Sequence, residues 1–357
     1  MKVAVVYDWV NQWGGAERLL SWMGEIYPGA DLYTSVYDSK KAPWAKKHFK
    51  KVYSSWLNYL PFSKTKYYWY FLFLPLAFKR FNFEDYGLVI SLTSYPGKFI
   101  KTRGKTKHLC YCLTPPRFLW QKESLPLKLQ KFFPLGFNLR VKDVLAAQKP
   151  DLFLATCKNV QARIKKFYHR ESKVVYPGVD LDKFRLLEKK REEYFLLVSR
   201  LVEYKKVDLV IKVFNKLGWS LKIIGEGREE ERLRSLAGDN IQFLGKVSEE
   251  ELVSVYQQAK AVIFPQEEDF GLVPLEAQAC GVPVLAYCKG GALETVMEGK
   301  TGEFFFSQSE ESLLQSLKTF IKKEYSSRHC RANAERFSKK VFVKDFKKQV
   351  NSLLLGN

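Results

Sequence analysis

Ala261-Val-Ile-Phe264-Pro-Gln-Glu-Glu268-Asp-Phe-Gly271-Leu-Val-Pro274-Leu-Glu276-Ala-Gln-Ala-Cys-Gly281-Val-Pro283-Val284 reads as a strand, a glycine turn and a helix in immediate succession. The apolar run Ala261 to Phe264, closed by Pro265, suits a buried strand of a parallel sheet. Pro274 fits the first turn of a helix, where a missing N–H costs nothing, and Gly281 with Pro283 ends that helix. Gly271 then falls at the strand-to-helix crossing. Such a crossing leaves unpaired amides and the positive end of a helix dipole facing outward, a setting suited to phosphate or sugar oxygens. Glu276 sits on the first turns of the helix with its carboxylate free to accept two hydroxyls. Taken alone, Glu276 equally reads as a dipole partner and Glu268 as a solvated loop acid.

The surrounding residues choose between these readings. Glu268-Asp-Phe-Gly-Leu-Val-Pro-Leu-Glu276-Ala-Gln-Ala-Cys-Gly-Val-Pro-Val284 resembles the donor motif of retaining glycosyltransferases of family 4, Glu-x-Phe-Gly-x-x-x-x-Glu-Ala-x-Ala-x-Gly-x-Pro-Val. That resemblance implies the GT-B architecture, an α/β fold of two Rossmann-like doubly wound domains facing across a cleft. It also implies Glu276 on the nucleotide ribose and Glu268 beside the donor sugar. The amides of Phe270, Gly271 and Leu272 would meet the sugar or the diphosphate.

Two α/β halves are visible along the chain. The first opens with a strand Val3 to Tyr7, a loop with Gly14-Gly15 and a helix from about Ala16 through Met23, the usual entrance to a doubly wound sheet. Strands Leu88 to Ser91 and near His108 to Cys112, a helical stretch Leu127 to Gln148 and strand Leu152 to Ala155 follow. After Tyr176-Pro-Gly-Val-Asp180 the pattern restarts, and its Pro-Gly turn reads as an interdomain hinge. Strands are expected at 194–198, 221–224 and 241–244, with helices at 207–217, 229–236 and 249–259. The expected domains are therefore 1–177, binding acceptor, and 178–341, binding nucleotide sugar. By resemblance alone, a last helix at about 342–354, within a segment 342–357, packs back onto the first domain.

Three further stretches carry chemistry. Arg200 and Lys205 follow a strand, at the end where doubly wound sheets bind ligands, and can clamp a diphosphate by fork and point charge. Without the match to the family's Arg-Leu-x-x-x-Lys motif they would read as surface charge. Gly14-Gly15-Ala16-Glu17 matches a family motif facing the donor diphosphate, although a glycine pair before a helix is a weak signal. Lys222-Ile-Ile-Gly225-Glu-Gly227 and Phe243-Leu-Gly245-Lys246-Val247 resemble the framework around the nucleotide base, with contacts expected from Lys246 and Val247 and a structural role open for the glycines.

On the acceptor side, Tyr111-Cys-Leu113-Thr-Pro-Pro-Arg117-Phe-Leu-Trp120 resembles Tyr-Cys-His-Thr-Pro-x-Arg-Tyr-x-Trp of bacterial O-antigen and exopolysaccharide mannosyltransferases. The resemblance implies acceptor contacts from Asp8, Tyr111, Thr114, Arg117 and Trp120. Leu113 replaces a histidine that lies near the donor sugar in those enzymes. A structural turn at Pro115-Pro116 is the alternative reading.

Composition bounds these readings. A chain of 357 residues with 46% hydrophobic content can bury two cores, and its formal net charge of +21 calls for an anionic partner. Residues 39–80 hold ten Lys/Arg, 13 aromatics and no acid. That mixture fits an anionic membrane surface, single-stranded nucleic acid, or an ordinary surface with part of its aromatics in the core. The family's lipid-linked acceptors favour the membrane, and no nucleic acid is expected. Six cysteines without a Cys-x-x-Cys pair read as reduced cytosolic thiols, no signal peptide is expected, and no run of 18 apolar residues occurs. No His pair stands at metal-ligand spacing, and no metal or cofactor is expected.

The resulting expectation is a retaining, metal-independent hexosyltransferase with Glu268, Arg200 and Lys205 as catalytic residues. GDP-mannose is the preferred donor, with UDP-sugars open, and a glycan or polyprenyl-linked chain is the acceptor. Its place is cytoplasmic, peripheral at the inner face of the cytoplasmic membrane. A weakened sugar-nucleotide or glycan-binding protein, a sugar-nucleotide epimerase and a nucleic-acid binder are the alternatives.

Overall fold

The structure is a computed structural model and describes residues 1–121, 137–187 and 191–356. The chain divides into one compact unit of Met1–Tyr176 with Val343–Asn357, and a second of Pro177–Phe342.

The first unit is built on seven strands: β1 (Val3–Tyr7), β2 (Asp31–Thr34), β3 (Val52–Ser54), β4 (Leu88–Thr93), β5 (Lys107–Cys112), β6 (Leu152–Ala155) and β7 (Lys173–Val174). They lie in the order β3-β2-β1-β4-β5-β6-β7, every pairing parallel. All five residues of β1 and all six of β4 are buried, as a parallel sheet covered on both faces requires. Ala4, Val6 and Val89 of this sheet pack with Tyr33, Phe78, Phe83 and Tyr86 in one core cluster.

The second unit repeats the plan with β8 (Tyr194–Val198), β9 (Ser220–Ile224), β10 (Ile241–Gly245), β11 (Ala261–Phe264), β12 (Val284–Tyr287) and β13 (Gly302–Phe305), ordered β10-β9-β8-β11-β12-β13 and again all parallel. Its core joins Phe195, Leu197, Ile223 and Ile263 of the sheet to Val210 and Phe214 of helix Val207–Leu217. Gly218, at φ +66°, closes that helix in the left-handed conformation open to glycine. Both sheets reverse direction of growth once, between β1 and β4 and between β8 and β11, the doubly wound arrangement of two Rossmann-like units.

Several expectations shift. The stretch anticipated from Leu127 to Gln148 lies outside the described residues up to 136; the described helix is Phe137–Ala147. The last helix is Lys339–Leu355, starting earlier than expected because Ser338 Oγ accepts from the Val341 amide. Strands β2, β3, β7, β12 and β13 were not anticipated.

Candidate active site

β8 and β11 are hydrogen-bonded neighbours on either side of the strand-order reversal, so the loops leaving their carboxyl ends open side by side. The first carries Arg200 and Lys205, the second Glu268. The first loop is strapped down by glycines: the Ser199 amide donates to Ile224 O (3.0 Å) and the Leu201 amide to Glu226 O (2.9 Å). A Cβ on Gly225 would lie 1.9 Å from Ser199 O, and one on Gly227 2.1 Å from Leu201 O. Those two glycines let the turn press against the backbone that presents Arg200.

Lys205 is buried, and its ammonium forms an ion pair with the Glu268 carboxylate. Arg200 is exposed and donates through Nη2 to the Tyr204 hydroxyl at 2.9 Å. The Lys205 ammonium also lies 5.1 Å from the centre of the Tyr204 ring. Two residues expected on a phosphate and one expected on a sugar are thus brought into one cluster within this unit.

Glu268 is held through its backbone. It bridges to Gly290 in parallel fashion, and the Gly291 amide donates to Glu268 O at 2.9 Å. A Cβ on Gly290 would sit 2.3 Å from Glu268 O, and one on Gly291 2.2 Å from Phe270 O. Gly271, at φ +83°, turns the chain into helix Leu272–Ala279 with no side-chain cap on its first amides. Glu276, on the second turn of that helix, is buried and accepts from the Tyr256 hydroxyl at 3.0 Å. That hydrogen bond orients the carboxylate and leaves it further capacity to accept. Phe270 is buried against Phe337, while Leu272 is half-buried. Lys246 is exposed and Val247 half-buried in the loop after β10, whose Gly245 carbonyl receives the Gly225 amide at 2.9 Å.

In the first unit Asp8 follows β1 at the corresponding reversal. Its carboxylate accepts from Thr93 Oγ1 and from the amides of Ser94 (2.8 Å), Tyr95 (3.3 Å) and Gly97 (3.1 Å). Burial raises its pKa, with those donors working in the opposite direction. Enclosed in this way, Asp8 braces the turn after β4, where an acceptor contact was expected. Gly14 precedes helix Gly15–Ile26, and a Cβ there would lie 3.1 Å from Glu17 Oε2. Glu17 is itself fixed by the Tyr7 hydroxyl at 2.8 Å. Gly15 is exposed at the start of the helix.

In the Tyr111–Trp120 stretch the residues expected on the acceptor differ in burial and in their partners. Tyr111 is fully buried, donates to Val175 O at 2.6 Å and meets the Phe346 ring at 5.9 Å, so the acceptor contact expected of it is corrected to a core role. Trp120 donates from Nε1 to Asp143 Oδ2 at 2.9 Å and stacks on Phe167 at 4.9 Å. Its polar edge is committed to the fold. Thr114 and Arg117 are half-buried at the carboxyl end of β5, and Arg163 Nη1 donates weakly to Thr114 Oγ1 at 3.4 Å. Leu113 sits beside them, half-buried, its amide on Thr93 O at 3.0 Å.

Sequence reasoning missed Tyr256, Tyr204 and the pair Lys98–Asp143. The first two lie on a helix and a short turn whose patterns carry no chemical signal. Lys98 and Asp143 are buried with Nζ 2.7 Å from Oδ1; Asp143 also accepts from Tyr168 at 2.9 Å, and Lys98 donates to Tyr95 O at 3.0 Å. Among the described residues no group of three or more His, Cys, Asp or Glu is placed to hold a metal ion, and no helix is long and apolar enough to cross a membrane.

Residues 179–337 match the family described as glycosyl transferases group 1. Two uncharacterized glycosyltransferases of Methanocaldococcus jannaschii are 26% identical over 200 residues (55% of this chain, 56% of that protein) and 27% identical over 277 residues (70% and 69%). The GDP-mannose-dependent alpha-(1-6)-phosphatidylinositol monomannoside mannosyltransferase of Mycolicibacterium smegmatis is 36% identical over 155 residues, 35% of this chain and 41% of that enzyme. The chain thus spans little more than half of the first of these relatives and less of the mannosyltransferase. Among solved structures, Anabaena HepE in complex with UDP superposes with a TM-score of 0.75 at 18% identity over 99% of this chain and 100% of that one. Sucrose-phosphate synthase from Thermosynechococcus elongatus does so at 0.78 and 17% identity over 100% of both. At that identity the likeness establishes fold alone. Residues 179–337 thus match the glycosyl transferases group 1 family, in a chain whose two Rossmann-like units have the GT-B fold.

Proposed function

We propose that the chain is a retaining, metal-independent glycosyltransferase that moves a hexose from a nucleotide sugar to a glycan or polyprenyl-linked acceptor, in a cytoplasmic setting, during cell-surface polysaccharide synthesis. The observation that carries this reading is the cluster of Arg200, Lys205 and Glu268 on the two loops at the strand-order reversal of the group 1 domain. A nucleoside diphosphate leaving group gains negative charge as the glycosidic bond to it breaks. A nearly buried ammonium and a guanidinium brought onto that charge stabilise it most in the transition state. In this reading Lys205 passes from Glu268 to the phosphate, and the released carboxylate accepts from a sugar hydroxyl. Glu276, oriented by Tyr256, takes the ribose hydroxyls, and Lys246 and Val247 border the base. With two cations on the diphosphate, a bound Mg²⁺ is redundant. Retention follows when the departing phosphate oxygen takes the acceptor's proton on the same face, as the new glycosidic bond forms there.

Thr114 and Arg117 are assigned to the acceptor side. Mannose from GDP-mannose is the favoured donor, supported by the mannosyltransferase relative; the Anabaena neighbour's UDP keeps UDP-sugars as the second donor class. The deciding experiment is a thermal-shift panel of GDP- and UDP-sugars, followed by nucleotide release with polyprenyl-linked acceptors. Stabilisation by one sugar nucleotide, lost in Glu276→Ala, is expected. No stabilisation by any member, with Glu276→Ala the same, sinks the donor reading. Leu113, an apolar side chain at the carboxyl end of β5, favours a second reading as a binding protein with weakened turnover; stabilisation without nucleotide release, even after Leu113→His, would select it.

A further inference from the structure

Of the basic, aromatic stretch 39–80, the structure separates what the fold uses from what it leaves outside. Leu57, Leu74 and Ala77 turn inward and pack with Phe99, Leu119 and Ala146. Tyr59, Phe62, Trp69, Leu72, Phe73 and Leu76 do not, and are between 48% and 83% exposed. An inward-facing apolar set explains itself as core; with Tyr68, also exposed, seven large outward ones within 18 consecutive residues do not. Phe62 adds a second observation. It holds φ +55°, a left-handed conformation that a bulky residue rarely adopts, while the residue is 64% exposed. The backbone around it is fixed: the amides of Thr65 (3.0 Å) and Lys66 (2.7 Å) donate to Phe62 O, and the Tyr70 hydroxyl donates to Pro61 O at 2.8 Å. A strained turn is therefore held in place with an apolar ring projecting into water.

Cations are threaded between these rings. Lys66 Nζ lies 4.5 Å from the Trp69 ring centre and 5.5 Å from that of Phe62, and Arg80 lies 5.9 Å from Trp56. No acid occurs from residue 39 to residue 80 to offset them. Rings at headgroup depth with cations beside them match an interface that is apolar below and anionic at its surface. We propose that the face formed by residues 56–80 docks on an anionic lipid bilayer. The same segment grips the loop after β1: Trp9 stacks on Tyr67 at 4.4 Å, and Asn11 Nδ2 donates to Lys64 O at 2.9 Å. Docking would therefore also steady residues 9–15, which lead to Gly14 and Gly15.

The test is flotation of the full chain with phosphatidylcholine vesicles, with and without phosphatidylglycerol, across a salt series. Binding is expected only with the anionic lipid and is expected to fall with salt. The triple variant Phe62→Asn, Trp69→Ser, Leu72→Ser changes exposed side chains only, and should weaken binding about tenfold or more while leaving the melting temperature within about a degree of the parent. Equal binding by parent and triple variant, or no preference for anionic vesicles, overturns the proposal. So does a parent dimer in light scattering that the triple variant abolishes without any vesicle binding, which would assign the face to a second copy. Binding of a single-stranded oligonucleotide in the absence of vesicle binding overturns it in favour of nucleic acid. None of these outcomes depends on the donor reading.

Discussion

Glu268→Gln isolates the pairing at the centre of the site. The Lys205 and Glu268 side chains are 8% and 26% exposed, so their attraction works at an effective dielectric nearer 20 than 80. Two unit charges about 4 Å apart then gain about 4 kcal/mol, and desolvation of both takes back most of it, leaving about 1–2 kcal/mol. Under the proposed function, that remainder is surrendered in the parent when a diphosphate takes Lys205; in the variant there is nothing to surrender. Free GDP or UDP should accordingly bind about 5- to 30-fold tighter to Glu268→Gln, at about 1.4 kcal/mol per tenfold. The ligand-free variant should melt lower than the parent, because Lys205 has lost its countercharge, and added nucleotide should close that gap. Hexose transfer should fall, since the amide no longer accepts as a carboxylate does. Isothermal titration at low salt reads the affinity. Unchanged or weaker diphosphate binding by the variant would show that Glu268 does not compete for Lys205. If neither protein binds a nucleoside diphosphate, the error lies in the proposed function instead.

Three further outcomes follow from the geometry. Gly291→Ala places a Cβ 2.2 Å from Phe270 O, and should cost about 1–3 kcal/mol in denaturant unfolding while abolishing the nucleotide-induced thermal shift; a full shift would mean that the Glu268 loop tolerates displacement. Lys98→Met leaves Asp143 charged and buried without its cation, and should cost about 3–5 kcal/mol by urea titration; a loss below about 1 kcal/mol would place that pair in contact with water. His108 is buried beside Ser91, and burial first, then Arg170 and Lys149, lowers its pKa to about 3. Because the folded value lies below the unfolded one near 6.5, the unfolded chain binds the proton first. Its contribution is whole above about pH 6.5 and is lost towards pH 3, at about 1.4 kcal/mol per pH unit. His108→Gln should flatten that segment of the stability profile, and an unaltered slope would assign it to other groups.

The strands that the sequence announces are those with unbroken apolar runs, β1, β6, β8 and β11, read to the residue. β2 and β13 escape because Asp-Leu-Tyr-Thr and Gly-Glu-Phe-Phe break the apolar run with polar residues or glycine, and their burial is supplied by neighbours. β12 was hidden behind the Pro283 that marks a helix end. At the site, the motif residues could be located but not their states. Nothing in the spacing of Lys205 and Glu268 announces an ion pair across 63 positions, because adjacency of the two loops is a property of strand order. Tyr111 misled for a related reason: a tyrosine in a motif and a tyrosine in a core read alike until the Val175 carbonyl and Phe346 ring are in place.

That ring sits on helix Lys339–Leu355, and the residues from Val343 onward are counted with the first unit although the chain before them builds the second. During synthesis, then, the first sheet emerges complete while one of its covering side chains is still untranslated. The nascent amino-terminal half must keep the Tyr111 side of its sheet from sticking to other chains for the time taken to make more than 160 further residues. Order of manufacture, and not only final stability, would bear on how much of this protein a cell can accumulate.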